Sequence, residues 1–118
     1  MTRFLFFCRV VSCSSFFAFV LTVSSFAGND PKADAGGNIF KSHCILCHGL
    51  DATGKTTLGK QLKAKNLRSA AVQRKSDAEL KQIITGGEGK MPTFADQLSS
   101  SQIDELVAYV RQLGKAKK

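Results

Sequence analysis

The clearest hydrophobic pattern lies near the end of the chain, where apolar residues recur every three or four positions. They are Ile103, Leu106, Val107, Val110 and Leu113. This spacing places them on one face of an α-helix. Ser99 and Gln102 precede the pattern with the spacing of a capping box, in which each side chain bonds the other residue's backbone N–H. The pattern therefore predicts a helix that begins after Ser99 and ends at Gly114.

A second capping-box spacing occurs at Ser76 and Glu79. It predicts a helix that continues through Leu80 and ends at a glycine pair, Gly86 and Gly87, because glycine readily adopts the conformation that closes a helix. The residues that follow, up to position 94, lack periodicity and are predicted to form a loop that must approach another part of the molecule closely.

The beginning of the folded part gives a weaker pattern. A first helix is predicted from Ala35 to about His43, with Asp34 as its N-cap. Residues 28–33 contain Pro31 and small polar residues, and are predicted to be a flexible lead-in. No segment alternates apolar and polar residues as a strand would, so the predicted fold class is all-α.

The middle of the chain holds a loop and a poorly defined segment. Residues 49–57 are rich in glycine and threonine and are predicted to be a loop. Leu58, Leu62 and Leu67 predict a short helix or a series of turns after it.

The first 27 residues differ in character from the rest. Arg3 and Arg9 flank an aromatic opening, the apolar run 10–26 follows, and residues 25–27 fit the small-residue pattern of a signal peptidase site. We predict that residues 1–27 are a cleaved signal peptide. The alternative is an uncleaved membrane anchor, because the run nearly reaches the roughly 20 apolar residues of a spanning helix.

The processed chain would consist of the lead-in, one domain over residues 34–114, and a basic tail over residues 115–118. It would keep 15 of the 17 basic residues and all nine acidic ones, which gives a formal charge of +6. A basic protein can bind nucleic acid, but an exported one is not expected to do so. A domain of this size buries only a modest core, so a bound cofactor is expected to complete it.

The strongest chemical signal is the sequence Cys44-Ile45-Leu46-Cys47-His48, which has the C-x-x-C-H spacing of haem c attachment. Two thiols one helical turn apart can add to the two vinyl groups of one haem, while the adjacent imidazole reaches the iron. A thiol oxidoreductase would place such a motif beside a βαβ pattern, which is missing. A zinc site would need about four ligands, which this motif alone does not supply. We therefore expect one covalently bound haem c, held by Cys44, Cys47 and His48.

Met91 is the chain's only methionine besides the initiator, and it lies in the glycine-rich loop before Pro92. Proline restricts the backbone of the preceding residue to extended conformations. We predict that Met91 and His48 are the two iron ligands, with an ordinary core methionine as the alternative. His43 is a rival ligand, but it adjoins Cys44 and would have to leave the first helix. We expect it on the surface.

With these motifs the chain resembles the class I c-type cytochromes, in particular the small soluble monohaem proteins of the short bacterial and plastid branch. The resemblance covers residues 34–114 and includes Gly36 and Phe40 in the first helix, and Leu106 and Tyr109 in the last. It implies a cytochrome c fold with three to five short helices wrapped around one covalently bound haem. It also implies that the first and last helices cross where Gly36 lets Tyr109 approach.

The chain departs from the larger family in two places. A proline that often follows the haem motif is absent, and residues 57–59 occupy its region. We expect a backbone carbonyl there to accept a hydrogen bond from His48, since metal-binding imidazoles are oriented by such a bond. The chain also has no tryptophan to bond a haem propionate. The candidates for that role are Arg68, Lys55 and Lys60.

Two protein ligands leave the iron no open position, which favours electron transfer over catalysis. The expected function is a periplasmic, monomeric one-electron carrier that is not an enzyme and does not insert stably into a membrane after processing. Its redox partners would have acidic docking surfaces if lysines ring the haem edge; otherwise these lysines are an ordinary solvated surface. They are Lys41, Lys55, Lys60, Lys63, Lys65, Lys75, Lys81 and Lys90.

Two other functions remain open at this point. A haem-based gas sensor or a peroxidase would carry the same motif with Met91 displaceable or absent from the iron. A thiol oxidoreductase would use Cys44 and Cys47 as free thiols.

Overall fold

The computed structural model describes residues 30–116. The predicted signal peptide, with its alternative as an anchor, lies outside the described residues, as do residues 28 and 29 of the lead-in and the last two residues of the tail. Within residues 30–116, no helix is both long enough and apolar enough to cross a membrane.

The described part of the chain is helical and has no strand; Glu88 and Met91 form an isolated bridge. The helices are α1 (Pro31–His43), α2 (Ile45–His48), α3 (Thr57–Leu62), α4 (Ala70–Gln73), α5 (Asp77–Gly86) and α6 (Ser100–Lys115). The all-α prediction is confirmed. Six helices exceed the expected three to five because α2 and α4 are single turns of four residues each.

The first helix begins four residues earlier than its pattern predicts. Asp30, not Asp34, is its N-cap, and the Asp30 carboxylate accepts the N–H of Lys32 at 3.0 Å. The prediction of a flexible lead-in is therefore wrong for residues 31–33. Pro31 occupies the first helical position, where a missing N–H costs no hydrogen bond, and Ala33 is buried.

Both predicted capping boxes are confirmed, at Ser76 with Glu79 and at Ser99 with Gln102. The last helix does not end at Gly114, as predicted, but continues to Lys115. A Cβ at position 114 would collide with the side chain of Gln73. That glycine therefore serves close packing between α6 and α4 and does not end the helix.

Helices α1 and α6 cross at a point where their backbones touch. A Cβ at Gly36 would overlap the backbone carbonyl of Glu105. A Cβ at Gly37 would lie 3.1 Å from the Tyr109 ring, which is stacked at a tilt on Phe40 with 5.2 Å between ring centroids. The expectation that Gly36 accommodates Tyr109 is thus wrong, because Gly36 faces the partner backbone and the next residue faces the ring.

Buried side chains form two clusters on the two sides of α6. The larger cluster contains Phe40, Ala52, Phe94, Leu98, Ile103 and Leu106. The smaller cluster contains Val72, Leu80, Val107 and Val110. Because α6 contributes two residues to each, its apolar face takes part in both clusters.

Candidate functional site

The cysteine motif is wound into a single helical turn at the junction of α1 and α2. Cys44 ends α1, donating its N–H to the Phe40 carbonyl at 2.9 Å, and it also begins α2. Its own carbonyl accepts the N–H of Cys47 at 3.2 Å and the N–H of His48 at 2.9 Å. The two thiols therefore lie one turn apart, and neither is joined in a disulfide.

Burial, with a smaller contribution from the neighbouring Cys47, raises the pKa of the Cys44 thiol to about 11. At neutral pH Cys44 is consequently a neutral thiol. A thiol that attacks disulfides needs a lowered pKa, since the thiolate is the nucleophile. The environment of Cys44 argues against the thiol oxidoreductase alternative.

The imidazole of His48 is buried and oriented by one hydrogen bond. Its Nδ1 lies 3.0 Å from the backbone carbonyl of Lys65, so Nδ1–H donates and Nε2 is left available to bind a metal. Burial lowers the pKa of His48, and the bond to Lys65 only partly opposes this. The ring is therefore neutral at pH 7, the form in which imidazole binds iron.

The acceptor for His48 is not in residues 57–59, where it was expected. That segment belongs to α3, and the carbonyl of Gly59 already accepts the N–H of Ala64 at 2.8 Å. Lys65 lies in the irregular stretch after α3, where its carbonyl has no helical partner. No residue type marks such a carbonyl, so the sequence carried no signal for it.

Thr56 fixes the motif to α3 and was not singled out from the sequence. Its hydroxyl oxygen lies 2.8 Å from the carbonyl of Leu46 and 3.0 Å from that of Cys47, and it accepts the N–H of Gly59 at 2.8 Å. A Cβ at Gly59 would overlap the Cys47 carbonyl. A threonine just before a predicted short helix could have been recognised as an N-cap, but its contact with the motif depends on the fold.

Met91 lies in the predicted loop after α5. Gly87 begins this loop with φ of 79°, and the N–H of Met91 donates to the Glu88 carbonyl at 3.0 Å. The Met91 side chain is partly buried and packs against the larger cluster, as does that of Cys44. The fold thus brings a thioether and the cysteine motif, which are distant in sequence, to one apolar cluster.

His43, the rival ligand, is exposed, as expected. Its ring stands edge-on to that of Phe94, with 6.4 Å between centroids and an interplanar angle of 85°. Among the candidates for bonding a propionate, Lys55 and Lys60 are exposed, and the guanidinium of Arg68 donates to the Ala116 carbonyl at 2.8 Å. None of the three is held in the interior.

The donor set fits a covalently attached haem. It offers two thiols one turn apart, a neutral imidazole with Nε2 available, and a thioether beside an apolar cluster that would surround a porphyrin. Cys44 and Cys47 would hold the group covalently, His48 would bind its iron, and Met91 is the candidate for the second iron ligand.

Comparisons with known proteins agree with this chemistry. The family model described as cytochrome c oxidase, cbb3-type, subunit III matches residues 31–110. The cbb3-type cytochrome c oxidase subunit FixP of Rhizobium etli is 34% identical over 82% of this chain and 33% of its own length. The chain thus spans about a third of the length of the oxidase subunits that it matches.

Two smaller proteins are matched over nearly their whole length. Cytochrome c6 of Leptolyngbya boryana is 38% identical over 73% of this chain and 95% of that protein. The solved structure of the KustC0563 c-type cytochrome superimposes with a TM-score of 0.61 and 31% identity, covering 66% of this chain and 95% of that one.

Proposed function

Because the chain belongs to the c-type cytochrome family and its cofactor is one covalently bound haem c, we propose that it is a one-electron carrier whose iron is bound by His48 and Met91. Cys44 and Cys47 would form the two thioether bonds. The observation that carries the ligand assignment is the packing of Met91 and Cys44 against the same buried cluster.

The bound haem supplies iron that changes its charge by one electron. The protein's part is to hold the two ligands and to exclude water. The Lys65 carbonyl fixes the ring plane and tautomer of His48, so Nε2 faces one direction only. The thioether of Met91 favours reduced iron and therefore raises the reduction potential above that given by histidine alone.

Buried side chains of the larger cluster provide an apolar surrounding next to both Cys44 and Met91. In such a surrounding, few polar groups need to reorient when the iron changes charge. If His48 and Met91 both bind the iron, no position on it is left for a substrate, so we propose that the protein is not an enzyme. The alternative of a gas sensor or peroxidase requires Met91 to leave the iron, and none of the relatives reported above supports it.

We further propose that the chain is exported to the periplasm after cleavage of residues 1–27 and acts there as a soluble monomer. Its partners would be redox proteins with acidic docking surfaces. Six of the eight lysines near the motifs are exposed: Lys41, Lys55, Lys60, Lys63, Lys65 and Lys90. A rate of electron transfer that falls steeply with added salt would support this docking, and a rate insensitive to salt would contradict it.

Replacement of Met91 by alanine tests the ligand assignment. The wild-type protein, purified from a host that attaches haem c, should be low-spin and should bind carbon monoxide slowly when reduced. We expect Met91→Ala to lower the reduction potential. It should also increase carbon monoxide affinity at least about tenfold, because the sulfur no longer competes with carbon monoxide for the iron; tenfold corresponds to about 1.4 kcal/mol.

His43→Ala is the matched control, because it removes the other candidate ligand. It should leave the visible spectrum and the potential unchanged. An unchanged spectrum in Met91→Ala, or a changed one in His43→Ala, would contradict the assignment. Rapid and tight carbon monoxide binding by the wild-type protein would favour the sensor or peroxidase instead.

A further inference from the structure

The loop that carries Met91 is tied to the last turn of α5 at both of its ends. At its start, the N–H of Gly87 donates to the carbonyl of Ile83 at 2.8 Å. At its end, the N–H of Phe94 donates to the next carbonyl, that of Ile84, at 3.2 Å. The carbonyls in the last turn of a helix have no intrahelical partners, so they are available for such bonds.

A third bond to the same turn comes from a side chain. The hydroxyl of Thr93 donates to the carbonyl of Thr85 at 2.6 Å and accepts the N–H of Ala95 at 3.3 Å. Between residues 87 and 94, this is the only side-chain hydrogen bond to α5 in the described structure. Thr93 therefore joins the end of the loop both to α5 and to the turn that follows.

The tip of the loop contributes little to its position. Residues 88–90 are exposed, and a Cβ on Gly89 would meet nothing within 4 Å. Pro92, which follows Met91, has no N–H to donate. Besides the packing of the Met91 side chain against the larger cluster, the loop is thus held by the bonds at its two ends, of which the Thr93 bond lies two residues from Met91.

We propose that Thr93 is a positioning residue that holds the sulfur of Met91 at the iron. This inference rests on the proposed ligation by His48 and Met91. The hydroxyl bond fixes the end of the loop to α5, and its loss lets residues 88–93 move away from the larger cluster as a unit. Met91 then leaves the iron more often, without any change in the ligand itself.

The test compares Thr93→Val with Thr93→Ser in the holoprotein. Valine keeps the shape of threonine and removes the hydroxyl, whereas serine keeps the hydroxyl. We expect the valine variant to bind carbon monoxide about twofold to tenfold faster when reduced, the effect of losing one hydrogen bond. It should also weaken the sulfur-to-iron absorption band of the oxidised protein and lower the reduction potential. The serine variant should resemble the wild type in all three measurements.

Ser76→Ala is the matched control for a general loss of stability, because it removes the cap at the opposite end of α5. It should leave the carbon monoxide rate unchanged. The inference is overturned if Thr93→Val matches the wild type, or if Ser76→Ala accelerates carbon monoxide binding equally. If the wild-type protein itself lacks the sulfur-to-iron band, the result contradicts the proposed ligation by Met91, and with it the role of Thr93 that depends on this ligation.

Discussion

The crossing of α1 with α6 and the loop that carries Met91 lie against the same buried cluster, but they are held by different forces. At the crossing, backbones touch at Gly36, and Phe40 is only 1% exposed. The loop over residues 87–93 has an exposed tip, and Met91 is its one apolar side chain that packs against the cluster; three hydrogen bonds join it and the following Phe94 to the end of α5.

This difference separates two properties of the protein. Burial of apolar surface dominates the free energy of folding, so the crossing contributes more to global stability than the loop does. A segment with few buried contacts opens locally at a lower free energy than the whole protein. If Met91 binds the iron as proposed, the strength of that bond can therefore change through the loop while the helical scaffold remains folded.

The largest expected effect comes from removing the ring at the centre of the crossing. Phe40→Ala should lower the free energy of unfolding by about 3–5 kcal/mol, as for other fully buried aromatic residues. Tyr109→Ala is the comparison, and it should cost less because its ring is only partly buried. Chemical denaturation of the holoproteins measures both values. A loss below about 1 kcal/mol for Phe40→Ala would refute the assignment of the crossing as the scaffold.

An added methyl group tests the backbone contact directly. Gly36→Ala should destabilise the protein by about 1–3 kcal/mol, because the Cβ overlaps the Glu105 carbonyl and the helices must separate. Gly86→Ala is the matched control, since a Cβ there meets nothing within 4 Å. It should be neutral or slightly stabilising, because alanine has the higher helix propensity. Equal losses in the two variants would show that glycine flexibility, and not contact, governs position 36.

The smallest expected effect concerns the ion pair between α5 and α6. The Lys81 Nζ lies 2.7 Å from a carboxylate oxygen of Asp104, and their side chains are 40% and 47% exposed. A double-mutant cycle with Lys81→Gln and Asp104→Asn should give a coupling of about 0.2–1 kcal/mol that decreases with added salt. A larger, salt-independent coupling would mean that electrostatics also supports the scaffold, and would weaken the contrast with the loop.

Elements specified by neighbouring residues were predicted well. The capping boxes at Ser76 and Ser99 each join residues three positions apart, so their geometry follows from the sequence. The start of α1 was missed because Asp30 and Asp34 both suit an N-cap, and Pro31 suits a turn as well as a first helical position. Local patterns could not show which aspartate begins the helix. The burial of Ala33 in the folded protein places residues 31–33 in the helix and makes Asp30 the cap.

At the site, the residues proposed to bind the haem were apparent from the sequence, but the groups that position them were not. The C-x-x-C-H spacing predicts Cys44, Cys47 and His48 as the haem-binding residues, since one helical turn suffices to bring them together. The carbonyl that orients His48 belongs to Lys65, and every residue type carries the same carbonyl. Thr93 was also missed, because its partner is a backbone atom in another element.

The sequence by itself determined the periodicity of the last helix, the two capping boxes and the spacing of the haem motif, because each depends on residues that are neighbours along one helix. The tertiary structure decided which glycine meets a backbone and which meets the Tyr109 ring, which carbonyl orients His48, and how the Met91 loop is held. These features join segments that are distant along the chain. Their geometry exists only once helices have packed and the buried backbone groups have found partners.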